Sequence, residues 1–281
     1  MNEISNSFQV GNFHLILDIR SPNNIGVKQL NELLIPLIPY KCLTDSTIWR
    51  LQIICSASDA KGLLLGRKMP TFQKVHSSTT VTVNQDNQVL FNTTSEDLRI
   101  LSPERILFSV MFLATWWHVI HGGLCLHAAG VSYKNKGFLF LGESGAGKST
   151  VSALSDSIGI PVLAEDRVFV LRDETESYAL GAGPHEATTY HRYVNMRAKL
   201  AAAYILVQDR ENSVRNLPKK DAAKYIYAAF LQNSASGYLP KDVLKLAFKV
   251  ACDLARNLQI FELHFNKSPD FWKLIDAQFA K

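Results

Sequence analysis

The stretch from Phe138 to Ile158 constrains the fold more than any other part of this chain. Phe138 to Leu141 is a continuous apolar run, the pattern of a strand buried on both faces. Gly142-Glu143-Ser144-Gly145-Ala146-Gly147-Lys148-Ser149 follows and fits G-x-x-x-x-G-K-[ST] without a mismatch, and Thr150 to Ile158 is helix-like. Glycines let the backbone curl until successive N–H groups face phosphate oxygens, and the helix beyond offers its positive end. Lys148 would reach the β- and γ-phosphates, and the Ser149 hydroxyl would ligate Mg²⁺. The eight residues and Thr150 are therefore the expected phosphate site of a nucleotide. A chance glycine-rich turn would not need to sit between an apolar strand and a helix.

Two further pieces flank this loop. Glu165-Asp166 ends a strand-like run from Ile160 to Ala164, and Asp166 lies 18 residues after Lys148, room for one helix and one returning strand. Paired carboxylates there can hold Mg²⁺ and take a proton from a hydroxyl, although an isolated acid pair is more often surface charge. His127 stands 21 residues before Lys148 in a run expected as one strand, Leu124 to Val131. A hairpin through Lys134 to Gly137 would pair that strand with Phe138 to Leu141 and bring the imidazole near the γ-phosphate. A lone histidine in such a strand is more often a satisfied core residue.

Elsewhere the chain is ordinary. Its 281 residues are 47% hydrophobic and 20% charged, with a net charge of +5. That field is too weak to argue for nucleic acid. The basic excess lies in residues 191–281, where 15 Lys and Arg face 8 Asp and Glu. Solvated helix faces usually explain such an excess; Arg192 and Arg197 are its candidates for phosphate or substrate contacts, and Glu186 for a place facing the substrate. Cys42, Cys55, Cys125 and Cys252 show no metal spacing, and no signal peptide opens the chain, which suits a reduced, cytoplasmic protein. Ile106 to Ile120 is short for crossing a bilayer and reads as a buried helix with Ser102 as N-cap and Pro103 at its first position. Residues 1–100 form a β-rich region, with strands expected over Phe8 to Arg20, Ile48 to Cys55, Thr79 to Val83 and Gln88 to Asn92. After residue 168 the reading is of short strands (Val168 to Leu171, Ser177 to Leu180), helices (Pro218 to Gln232, Pro240 to Asn257), a strand (Gln259 to Phe265) and a last helix. There is no LSGGQ-like segment.

LHAAGV, FLFLGESGAGKST and VLAEDRV, in that order, resemble the HPr kinase/phosphorylase superfamily and its phosphoenolpyruvate-carboxykinase-like relatives. The likeness is close over about residues 122–172 and looser over Gly181 to Glu186 and Gln259 to Ile275. The looser parts and the β-rich start are similar to HPr-kinase-like proteins encoded with bacterial peptide-modification systems, including lasso-peptide kinases. The resemblance implies an α/β, carboxykinase-type P-loop domain with a mixed β-sheet over 101–281, preceded by the smaller β-rich region. It also implies ATP-dependent phosphorylation of a serine hydroxyl on a peptide or protein, with ATP and Mg²⁺ as cofactors. In that scheme Gly142 to Ser149 bind the ATP phosphates and His127 neighbours the γ-phosphate. Glu165 is the base, and Asp166 and Ser149 are metal ligands. Glu165 departs from the aspartate common in the family, and Thr150 from the acidic residue of true HPr kinases. The glycine-rich C-terminal signature for HPr is missing, so HPr is not the expected acceptor. A homo-oligomer would follow from kinship only. A non-catalytic nucleotide-binding regulatory module and a small-molecule alcohol kinase remain open as alternatives.

Overall fold

A computed structural model describes residues 2–10, 13–21, 48–56, 80–83, 88–94, 103–172, 177–182, 197–233 and 235–279. The chain divides into two compact units, Met1–Met111 and Phe112–Lys281.

The first unit holds β1 (Asn2–Val10), β2 (Phe13–Ser21), β3 (Ile48–Ser56), β4 (Thr80–Val83) and β5 (Gln88–Thr94), in the order β1-β2-β3-β5-β4. The single strand expected over Phe8 to Arg20 is instead two, with Val10 paired to Phe13 across an antiparallel hairpin. Gly11-Asn12 between them is a two-residue hairpin signal, and the apolar alternation changes phase across it, from Phe8 and Val10 to Phe13 and Leu15. β4 and β5 pair antiparallel as expected, while β3 runs parallel to both β2 and β5. The 84–87 loop lies outside the described residues.

Helix α1 (Pro103–Ile120) begins at the expected proline; Ser102 lies outside the described residues. Phe112, Ala114, Trp116 and Val119 are buried, and so are Thr115 and His118. Both polar groups are satisfied: Asn233 Nδ2 donates to Thr115 Oγ1 at 3.4 Å, and His118 Nδ1–H to the Ala114 carbonyl at 2.6 Å. No helix among the described residues is long and apolar enough to cross a membrane.

The second unit is built on a mixed nine-stranded sheet. Its strands are β6 (Leu124–Leu126), β7 (Ala129–Tyr133), β8 (Lys136–Leu141), β9 (Val162–Glu165), β10 (Val168–Arg172), β11 (Tyr178–Ala182), β12 (Arg197–Gln208), β13 (Ser213–Asn216) and β14 (Gln259–Phe265). The path runs β6-β10-β11-β12-β8-β7-β9, with β14 beside β12 and β13 beside β14. β7 and β8 form the expected hairpin. Lys134 (φ 49) and Asn135 (φ 61) turn it, both left-handed as a two-residue turn matched to strand twist requires.

β12 is central and parallel to both β8 and β14. β9 shares that direction, since it is antiparallel to β7 and β7 to β8. The carboxyl ends of β8, β9, β12 and β14 thus lie along one edge, where open α/β sheets place their ligands.

The helices of this unit are α2 (Lys148–Ser157), α3 (Lys219–Leu231), α4 (Lys241–Asn257) and α5 (Phe271–Phe279). Phe138, Phe140, Tyr204 and Phe265 of the sheet form the main core with Val151 of α2 and Phe271, Trp272 and Ile275 of α5. Trp272 Nε1 donates to Ser155 Oγ at 3.0 Å, fixing α5 against α2. α3 packs on β6, β8 and α4.

Candidate functional site

β8 is buried along most of its length and delivers Gly142 at the carboxyl edge. Gly145 (φ 82) and Gly147 (φ 108) are left-handed, a region that L side chains avoid. Gly142 and Gly147 also have no room: a Cβ on Gly142 would sit 2.5 Å from that of Ala146, and one on Gly147 2.5 Å from Phe265 Cζ. Gly147 caps α2 with no side-chain acceptor and no acid follows in the first turn, so the helix's positive end is left for a ligand. Glu143, Ser144, Gly145 and Ser149 are exposed, and Gly142, Ala146, Gly147 and Thr150 half-buried.

Lys148 folds back over the loop. Its ammonium donates to the carbonyls of Gly142 at 2.9 Å and Glu143 at 3.0 Å. Burial holds its pKa below the usual lysine value, and the nearby Asp166 carboxylate partly offsets this. Lysine and acid therefore share one electrostatic neighbourhood.

Asp166 owes its place to a break in a long ladder. Leu126 faces Val168 and Ala129 faces Glu165, so the 124–133 and 162–172 segments keep one register across a gap at residues 127–128 and 166–167. The single strand expected over Leu124 to Val131 is broken there. His127 lies in one half of the gap and Asp166 in the other, and His127 Nδ1 is 2.5 Å from Asp166 Oδ1. Asp166 has φ 76 and Arg167 N–H donates to the Glu165 carbonyl at 3.0 Å, a tight turn with a strained central residue. Glu165, half-buried, ends β9 opposite Ala129, and its carboxylate makes no hydrogen bond or ion pair with another described residue.

The structure thus brings His127, Asp166 and Lys148 together and sets Glu165 beside them. Arg197 is not among them. It opens β12, whose other end touches the loop through Gln208 Nε2 donating to the Gly145 carbonyl at 2.7 Å. Eleven residue steps along the strand separate the two, about 36 Å at the usual rise. Arg197 instead acts electrostatically on His118. Glu186 and Arg192 lie outside the described residues.

A hydroxyl and a carboxylate, as on Ser149 and Asp166, are hard oxygen donors suited to Mg²⁺, which is generally held by one or two protein oxygens together with substrate phosphates. Among the described residues no group of three or more His, Cys, Asp or Glu could hold a metal alone.

Gln208 and Phe265 were not foreseeable as neighbours of the loop: the first lies on a strand no sequence pattern announces, and the second touches Gly147 only through the fold. The same edge carries His264, whose Nδ1 is 3.0 Å from Asp209 Oδ2. The Arg210 N–H and His264 hold that carboxyl below its usual range.

The family described as SynChlorMet cassette protein ScmC matches residues 88–280, well over half of the chain. The solved structure of the Hpr(Ser) kinase/phosphatase from Coxiella burnetii is similar at 8% identity and a TM-score of 0.31, covering 56% of this chain and 99% of that one. No curated protein matches.

Proposed function

With the chain established as belonging to the ScmC family of SynChlorMet cassette proteins, we propose that it is an ATP-dependent phosphotransferase acting on a serine hydroxyl of a peptide or protein. The observation that carries this reading is the convergence of the Lys148 ammonium, the Asp166 carboxylate and the His127 imidazole beside a helix end left without an acceptor. A site that only held a nucleotide would need the loop and the lysine. It would not need a strained aspartate paired to a histidine at its outer end.

In the proposed reaction the serine oxygen bonds to the γ-phosphorus as the bond to the β–γ bridging oxygen breaks. The hydroxyl proton passes to Glu165, and ADP leaves with the bridging oxygen. The loop amides and Lys148 stabilise charge on the phosphate oxygens, and His127, oriented through Nδ1 by Asp166, faces the transferring group. Mg²⁺, held by Ser149 and Asp166 with the phosphates, would supply further charge neutralisation. Positioning and electrostatics are the protein's main contribution to such transfers.

The test is labelling of serine peptides from γ-labelled ATP. Lys148→Ala should abolish labelling with the fold intact. Glu165→Gln should lower the transfer rate by about 10²–10⁴-fold while ATP affinity is kept. Undiminished labelling by Lys148→Ala would remove the assignment.

A further inference from the structure

A concave space lies between the phosphate loop and α3, with a volume of about 310 Å³. Gly142 and Glu143 wall it on one side and α3 on the other. Two observations orient it. The Lys148 ammonium, the group that reaches β- and γ-phosphates, lies against the carbonyls of the same Gly142 and Glu143. The space therefore opens at the γ end of the loop. Its α3 wall includes Ala229, whose carbonyl accepts the His127 N–H at 2.9 Å. It thus runs past the strand junction that carries His127 and Asp166.

The α3 wall has a direction of its own. Asp221, Tyr225, Ala228 and Gln232 follow one another at spacings of four, three and four, which is one stripe of a helix. Eleven residues at the helical rise make about 16 Å, the length of about five residues of extended chain. A compact alcohol would fill only a fraction of such a trough. Its lining suits a polypeptide: Tyr225 is 40% exposed and offers a ring of the kind that carries interface energy, and the Gln232 amide can both donate to and accept from a backbone. Among the lining residues Glu143 and Asp221 supply two carboxylates and Lys224, 3.0 Å from Asp221, one ammonium; Lys148, behind the Gly142 and Glu143 carbonyls, is the group expected to engage the phosphates.

We infer that this groove binds the acceptor as an extended peptide segment along α3, its hydroxyl side chain turned to the Gly142–Glu143 wall and a basic residue favoured nearby. The inference deepens the phosphotransfer reading and rests on it. Tyr225 and Gln232 contact residues flanking the acceptor, and the carboxylate excess selects their charge.

The experiment uses the full chain with Mg²⁺, γ-labelled ATP and a positional-scanning library of nonapeptides with a fixed central serine. Free serine and glycerol serve as small acceptors, and a fluorescent ATP analogue reports on the loop separately. Wild type should label peptides enriched in Lys or Arg beside the serine, and neither small acceptor. Tyr225→Ala should raise the KM for the best library peptide by about tenfold or more, and Tyr225→Phe should restore it. Asp221→Asn should flatten the preference for basic residues. All three should bind the analogue within about twofold of wild type. Unchanged KM and selectivity in Tyr225→Ala and Asp221→Asn would overturn the groove and leave peptide phosphotransfer standing, whereas labelling of free serine or glycerol in place of peptides would overturn both the groove and the peptide acceptor. A wild-type chain that binds the analogue and labels no acceptor would overturn the phosphotransfer reading and the groove with it.

Discussion

At Gly147 two demands meet in one residue: a φ of 108 and an approach to Phe265 that leaves no space for a Cβ. Gly147→Ala should therefore lower unfolding free energy by about 2–4 kcal/mol, combining a left-handed backbone cost with overpacking. Adding Phe265→Leu should recover only the packing part; denaturant unfolding of both variants checks this. Asp166 presents the opposite case, a residue with a side chain where glycine would be easier. Asp166→Gly should change stability by no more than about 1 kcal/mol while the labelling rate falls by at least about a hundredfold. A variant that kept its rate would deny the carboxylate any part in transfer. Cys125 has no such part: burial pushes its thiol up to about 12, so it stays protonated and inert at neutral pH.

Among the elements, α1 carries a titration of its own. Burial lowers the pKa of His118 from 6.5 to about 3, against an opposing hydrogen bond to Ala114. Between those values the unfolded chain takes up a proton that the folded chain refuses. Stability from this group is complete above pH 6.5 and is lost as pH falls toward 3, at up to about 1.4 kcal/mol per unit. The slope of unfolding free energy against pH between 6 and 4 should be shallower by about one proton in His118→Gln; an unaltered slope would show that His118 does not set it. Legibility also varied by element. The loop, α2, and the β7–β8 hairpin are local patterns and could be read directly. β12 could not: Ala201-Ala202-Ala203 within it favour helix over strand. Those alanines are strand because β8 lies on one side and β14 on the other, a reason found only in the fold. The break at His127 was hidden likewise, since Leu124 to Val131 is apolar throughout apart from that histidine and Gly130.

For the whole molecule, the carboxyl edge of the sheet gathers residues from 127 to 265, yet only those near the loop were legible as a site. The order of the strands decides the rest, and it sends Arg197 to the far end of β12 while bringing Gln208 to Gly145. If that edge holds a nucleotide, Mg·ATP at about 100 times its Kd should stabilise the chain by about 2.7 kcal/mol, and Lys148→Ala should lose the gain. The most direct measurement is a crystal structure of the full chain with Mg²⁺ and a non-hydrolysable ATP analogue. The account predicts the triphosphate wrapped by residues 142–149, Lys148 moved from the Gly142 and Glu143 carbonyls onto phosphate oxygens, and the γ-phosphate within hydrogen-bond reach of His127. A triphosphate whose outer end faces away from His127 and Asp166, or one bound elsewhere on the chain, would contradict it.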